Sequence, residues 1–103
     1  MKMDYQKIYD VVISAGDEAL NYFGRETKVW YKDGGRSPVG EADYAVNDIL
    51  QSNLTSFYPE LGWVSEETED DLSRLEKTEL FILDPIDGTR AFLSGGKDWC
   101  VSL

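Results

Sequence analysis

The apolar run Leu80-Phe81-Ile82-Leu83 breaks off abruptly into Asp84-Pro85-Ile86-Asp87-Gly88-Thr89. It is short, lacks a helical period and predicts a buried strand over Leu80–Leu83. Such a strand carries the next residues to the edge of a core. Those residues include a pair of carboxylates with a proline between them. Proline fixes its own φ and keeps the preceding residue out of the helical region. Asp84 and Asp87 can therefore aim at one spot without sharing a helix. Gly88 permits close backbone approach and Thr89 adds a hydroxyl. A hard cation held by oxygen ligands is the simplest use of such a group.

The rest of the chain must supply a core against which that strand can rest. Tyr5, Ile8, Val12, Ala15, Ala19, Tyr22 and Phe23 recur at spacings of three and four, predicting an amphipathic helix over Asp4–Phe23 capped by Gly24. Thr27–Lys32 alternates loosely as a strand, with Val29 and Tyr31 on one face, and Asp33–Pro38 reads as a loop. A second helix fits Glu41–Phe57, with Ala42, Val46, Ile49, Leu50, Leu54 and Phe57 as its buried stripe and Gly40 at the N-cap. Asp43 then stands at N3, near the positive end of the helix dipole. Trp63–Ser65 is a short strand running into Glu66-Glu67. Thr68–Lys77 is a charged loop with one helical turn, and Trp99–Leu103 opens a further strand.

Composition narrows the chemistry. The chain has 103 residues, enough for one small domain, and 20 acidic against 10 basic side chains give a net charge of -10. That surface repels nucleic acid polymers and anionic membranes. There is no histidine, so zinc catalytic sites and Ser-His or Cys-His nucleophiles lose their usual partner. Cys100 is the only cysteine, which suits a reducing cytoplasm. No stretch has the apolar length of a membrane span or of a signal peptide's core.

Three acidic places stand out, and each has an ordinary explanation. Asp43 can be an N3 acid favoured by the dipole, Glu66-Glu67 the opening of the acidic loop, and Asp84–Gly88 a turn between strands. Two familiar motifs fail. An EF-hand loop counted from Asp84 needs Glu where Gly95 stands, and Gly95-Gly96-Lys97 is followed by Asp98 rather than by the hydroxyl of a phosphate-binding loop.

Taken together the three places carry a resemblance. Asp84–Phe92 (DPIDGTRAF) resembles the signature of the inositol monophosphatase family. Ser37–Asp43 (SPVGEAD) resembles its SPVTEAD segment, Ser65-Glu66-Glu67 its SEE or GEE motif, and Gly96–Leu103 the strand after the signature. The motifs come in the family's order with compatible gaps.

The resemblance implies an α+β fold, the N-terminal part of a layered α/β/α/β/α sugar-phosphatase-like domain with two helices on a mainly antiparallel sheet. It implies that Glu66, Asp84 and the Ile86 carbonyl bind one Mg2+ and that Asp84 and Asp87 bind a second, with two or three ions in the complete site. Asp43 and Thr89 would activate water, the Gly88 and Thr89 amides would contact phosphate, and Glu67 would stand behind the ligands with Lys32 nearby. Gly40 departs from the family's threonine and removes a hydroxyl near Asp43. A further aspartate ligand of the family lies beyond residue 103, and the abrupt apolar ending reads as the front part of a longer protein.

The expected function is hydrolysis of a small phosphorylated metabolite in the cytoplasm, with 3'-phosphoadenosine 5'-phosphate favoured because SEE and Arg90 look like the nucleotidase branch. Inositol monophosphate, a sugar phosphate and histidinol phosphate fit the same residues. A rival of another class is an inactive cation-binding or interaction domain. The unfinished sheet leaves an edge that invites a homodimer.

Overall fold

The computed structural model describes residues 3–103. In order come α1 (Tyr5–Leu20), β1 (Val29–Lys32), β2 (Ser37–Gly40), α2 (Glu41–Phe57), β3 (Gly62–Ser65), a 3-10 turn (Ser73–Glu76), β4 (Leu80–Asp87), α3 (Thr89–Leu93) and β5 (Cys100–Ser102). β1 and β2 form a hairpin, and β3-β4-β5 form a three-stranded sheet. The α+β class is as expected. The β1–β2 and β4–β5 pairings are antiparallel, whereas β3 and β4 run parallel.

The core is built by small residues on α1 meeting large ones on α2. Ala15 and Ala19 are fully buried, and with no bulk beyond Cβ they let the helices approach closely. Against them lie Ala42, Val46, Leu50 and Leu54, and below these Leu83, Ile86 and Phe92. Phe23, Phe92 and Trp99 pack mutually, with ring centroids 4.7 to 5.6 Å apart. That cluster ties the turn after α1 to α3 and to the segment entering β5, at geometries favourable for aromatic pairs. The Tyr58 hydroxyl, accepting from the Asp4 amide at 2.9 Å, pins the start of α1 to the end of α2.

Several boundaries differ from the sequence reading. α1 begins at Tyr5 because Asp4 caps it, accepting from the Lys7 amide, and it ends at Leu20, so Gly24 (φ 73°) closes the following turn instead. Tyr5 is 75% exposed and leaves the predicted stripe, since α2 lies on the Ile8–Val12 side of α1. Phe57 sits at the exposed end of α2 under the Lys7 ammonium, 4.2 Å from the ring centroid. Ser37 and Pro38 belong to a strand rather than a loop. Positive φ at Asp33, Gly34 and Gly35 turns the chain back tightly enough for Pro38 to pair opposite Tyr31. Proline is tolerated there because a two-stranded ribbon has only edges.

β4 continues beyond Leu83 to Asp87, because β5 pairs with it at Asp84 and Asp87 across an irregularity. Nor is it buried on both faces: Leu83 faces α2 and is closed off, while Ile82 is 66% exposed. Among the described residues no helix is long and apolar enough to cross a membrane.

Leu50 lies in the middle of this core and is fully buried. Leu50→Ala is expected to destabilise the chain by about 2–5 kcal/mol, read from the shift in a urea unfolding curve.

Candidate functional site

Parallel pairing of β3 and β4 decides the site. Ser65 stands opposite Leu83 in the register, so Glu66 and Asp84, the next residue of each chain segment, emerge side by side from the same end of the sheet. The Glu66 amide donates to the Leu83 carbonyl at 3.1 Å, which extends the ladder one step beyond the strand. The carboxyl ends of parallel strands are where open α/β sheets commonly present ligand-binding groups. Ile86 is buried a little further along, and Gly88 then reverses the chain into α3 at φ 99°. A Cβ at Gly88 would lie 2.4 Å from the Asp98 carbonyl oxygen, so only glycine fits.

Asp43 reaches the same place from the first turn of α2. It is 1% exposed, and its Oδ1 accepts from the Thr89 hydroxyl at 3.1 Å. The same hydroxyl lies 3.0 Å from the Ile86 carbonyl, and its one proton can serve only one of these acceptors at a time. Asp43 Oδ2 is buried without a hydrogen-bond partner among the described residues. Burial is the main reason that the Asp43 pKa rises from 3.8 to about 6, the Thr89 hydrogen bond opposing it and the Glu67 charge adding to it.

A cleft of about 320 Å³ opens over this end of the sheet. Glu66, Glu67, Asp84, Ile86, Gly88 and Thr89 line it, joined by Lys32, Arg36 and Arg90. Asp43 stands behind Thr89 rather than in the wall. Asp87 is exposed and also outside the wall, yet near enough to Asp84 to affect it. The Asp84 pKa is raised by burial first, then by the charges of Asp87, Glu66 and Glu67.

Lys32 answers that repulsion. Its ammonium donates to the Glu66 carbonyl at 3.2 Å and lies 3.4 Å from Glu67 Oε1 and 3.7 Å from Glu66 Oε2. Burial works to lower its pKa, but Glu67 and Glu66 outweigh that and raise it. Glu67, with a side chain only 7% exposed, is still pushed up by burial, because Lys32 offsets only part of its lost hydration.

The sequence reading has Lys32 only as a nearby charge and does not single out Asn47 or Arg36. Asn47 Oδ1 accepts from the Ser65 hydroxyl at 2.5 Å, and that hydroxyl in turn accepts from the Glu67 amide at 3.3 Å. One turn of α2 beyond Asp43 therefore fixes the end of β3. A polar residue interrupting the stripe next to Val46 is the available signal.

Among the described residues no three carboxylates converge on one point. Glu66 in particular turns outward, its side chain 61% exposed. The donor set nevertheless fits a hard cation such as Mg2+: every candidate ligand is an oxygen, and the acids repel one another in the absence of positive charge. Gly40 caps α2 without a side chain, and a Cβ there would meet Leu93 Cδ2 at 3.2 Å. The hydroxyl absent at that position is thus matched by α3 packing closely against the helix start.

The sequence pattern described as the Inositol monophosphatase family matches residues 3–103. A histidinol-phosphatase from Chlorobaculum parvum is 32% identical over 95 residues, covering 92% of this chain and 36% of that protein. A 3'-phosphoadenosine 5'-phosphate phosphatase from Mycobacterium bovis is 42% identical over 67 residues, covering 63% of this chain and 25% of that one. The crystal structure of the extragenic suppressor protein suhB from Bartonella henselae superposes with a TM-score of 0.80 at 26% identity, over 94% of this chain and 38% of that one. The chain spans between a quarter and somewhat more than a third of the length of these proteins.

Because the folded-state pKa of Asp43 is raised, the native chain holds a proton that the unfolded chain has lost between about pH 4 and 6. The carboxylate therefore destabilises the fold above pH 6, and that penalty fades as pH falls toward 4. Asp43→Asn is expected to stabilise the metal-free chain by up to about 3 kcal/mol at pH 7.5, with the gain shrinking toward pH 4 in urea unfolding at both pH values.

Proposed function

The chain belongs to the inositol monophosphatase family, and from that premise we propose that it carries most of the metal site of a Mg2+-dependent phosphomonoesterase acting on a small phosphorylated metabolite. The observation that carries this reading is the side-by-side emergence of Glu66 and Asp84 from parallel strands, next to the Thr89–Asp43 hydrogen bond. Glu66, Asp84, the Ile86 carbonyl and Asp87 would hold the cations. When bound, such ions neutralise the phosphate oxygens, lower the pKa of water and stabilise the leaving alkoxide.

The chain's own residues then handle the proton. Thr89 Oγ1 accepts a hydrogen bond from a water in the cleft while donating to Asp43 Oδ1. As the water attacks phosphorus, its proton passes to the threonine oxygen and the threonine proton passes to the Asp43 carboxylate. Burial favours the protonated form of Asp43, which suits it to accept that proton. The Gly88 and Thr89 amides have no helical acceptor at the start of α3 and would orient the phosphate oxygens. Glu67 pairs with Lys32 and so holds the ammonium that also lies against Glu66.

For substrate we favour 3'-phosphoadenosine 5'-phosphate, supported by the 42% identity to a phosphatase of that name. Histidinol phosphate and inositol monophosphate would use the same proton path. The lone exposed Cys100 suits a cytoplasmic setting. A homodimer joined along an exposed sheet edge is the association we would look for.

The test uses the chain extended to the length of its relatives. Phosphate release is expected with Mg2+ and to be lost on chelation, and Asp84→Asn or Asp87→Asn is expected to lower it by at least about 100-fold. Rates with the three substrates compared directly identify the preferred one. A folded, extended protein that binds Mg2+ and releases no phosphate from any of them would favour the cation-binding rival.

A further inference from the structure

The two glutamates of the cleft form the tip of a β-turn. The Thr68 amide donates to the Ser65 carbonyl at 3.3 Å, so Ser65 and Thr68 close the turn with Glu66 and Glu67 between them. Both closing residues carry a hydroxyl, and both hydroxyls meet the same amide. Asn47 Oδ1 accepts from Ser65 at 2.5 Å and lies 3.4 Å from the Thr68 hydroxyl. Asn47 Nδ2 donates to Gln51 Oε1 at 3.3 Å, and that oxygen is also 3.4 Å from the Thr68 hydroxyl. The single Thr68 proton can serve either acceptor, and each choice draws the end of the turn toward α2.

Asn47 is buried beside Val46, where an apolar side chain would bring no polar group to satisfy. Its amide is engaged instead with the base of the turn. Lys32 holds the tip from the other side, at the Glu66 carbonyl and the Glu67 carboxylate. That hold is partly ionic, and a cation taken up by Glu66 would compete with it. The Asn47 bonds join neutral groups and persist through such a change of charge.

We propose that Asn47 is a positioning residue for the cation site: by gripping both ends of the Ser65–Thr68 turn, it presets where the Glu66 carboxylate can reach beside Asp84. It thereby raises cation affinity without touching the cation. This rests on the reading that Glu66 and Asp84 hold Mg2+. The Glu66 side chain is mostly exposed, so a loose turn would have to be ordered each time a cation bound. Ordering it beforehand removes that cost from binding. Asp43 and Asn47 stand one turn apart on α2, so a single helix places both the proton acceptor and the base of the metal-binding turn.

The experiment is an NMR titration of this chain with Mg2+, read from the Glu66 and Asp84 amide shifts, together with hydrogen exchange at the Glu66 and Thr68 amides. Asn47→Leu keeps the branching of the side chain and removes its polar atoms. It is expected to lower Mg2+ affinity by about tenfold or more and to speed exchange at Thr68. The Glu66 amide, bonded to the Leu83 carbonyl, is expected to keep its protection. Ser65→Ala combined with Thr68→Val removes the same contacts from the turn side and carries the test if the leucine is not accommodated. Adding Asn47→Leu to that pair is expected to lower affinity no further. A merely structural role would lower the urea midpoint and leave Mg2+ affinity as it was, which would overturn the proposal. So would full additivity of the substitutions, or loss of protection at Glu66, since the strand register rather than the turn would then have given way. Asp84→Asn tests the metal reading by itself. No Mg2+ uptake by the unaltered chain, or uptake indifferent to Asp84, would sink that reading, whereas uptake that depends on Asp84 and not on Asn47 would sink only this proposal.

Discussion

Everything at the cleft depends on one strand pairing. The paired stretch of β3 and β4 is short, and between the strands runs a charged segment that packs little apolar surface. Their parallel register nonetheless sets which residues leave the sheet together. A slip of one residue would turn Leu83 from the core to solvent and carry Asp84 inward. The register is therefore enforced by burial of Leu83 under α2, and the placement of the acids is a result of it. The Asn47–Ser65 hydrogen bond locks the same register from the helix side. Parallel pairs are slightly weaker per residue than antiparallel ones, so this external clamp matters more here than in a hairpin.

Much of this is legible in the amino-acid order, for physical reasons that can be named. α2 reads from Glu41 to Phe57, as observed, because its apolar spacing is regular and Gly40 and Pro59 punctuate it. The acids at 43, 66, 84 and 87 stand out through motif spacing, and the fold brings 66 and 84 into one cleft with 43 behind its Thr89 wall. Side-chain contact across elements is what the amino-acid order does not reveal. Lys32 neutralising Glu67, Arg90 reaching the Arg36 carbonyl and Asn47 holding Ser65 all join residues from separate segments. No local period encodes such pairs. β4 reads too short because Pro85 normally ends a strand; here an irregular pairing with β5 carries the strand past it.

Charge at the cleft is only partly balanced. Asp43, Glu67 and Asp84 all resist ionisation through burial, and Lys32 relieves the last two only in part. The carboxylates by themselves are thus electrostatically unfavourable, and any cation that entered would lower several carboxyl pKa values at once. A site tuned this way couples cation uptake to the stability of the surrounding fold.

The exposed face of β4 has a colloidal consequence. Ile82, two-thirds open to water, stands beside Val64 on the side of the sheet away from α2. Tyr5, Leu20 and Trp30 add apolar surface elsewhere. Mutual repulsion at -10 each opposes the approach of two copies through such surface. That repulsion extends over a Debye length of about 10 Å at 0.1 M salt and contracts to about 3 Å at 1 M. Contact between copies of this chain is accordingly expected to follow ionic strength: concentrated salt, or acid that protonates the carboxylates, weakens the repulsion that holds the apolar faces apart.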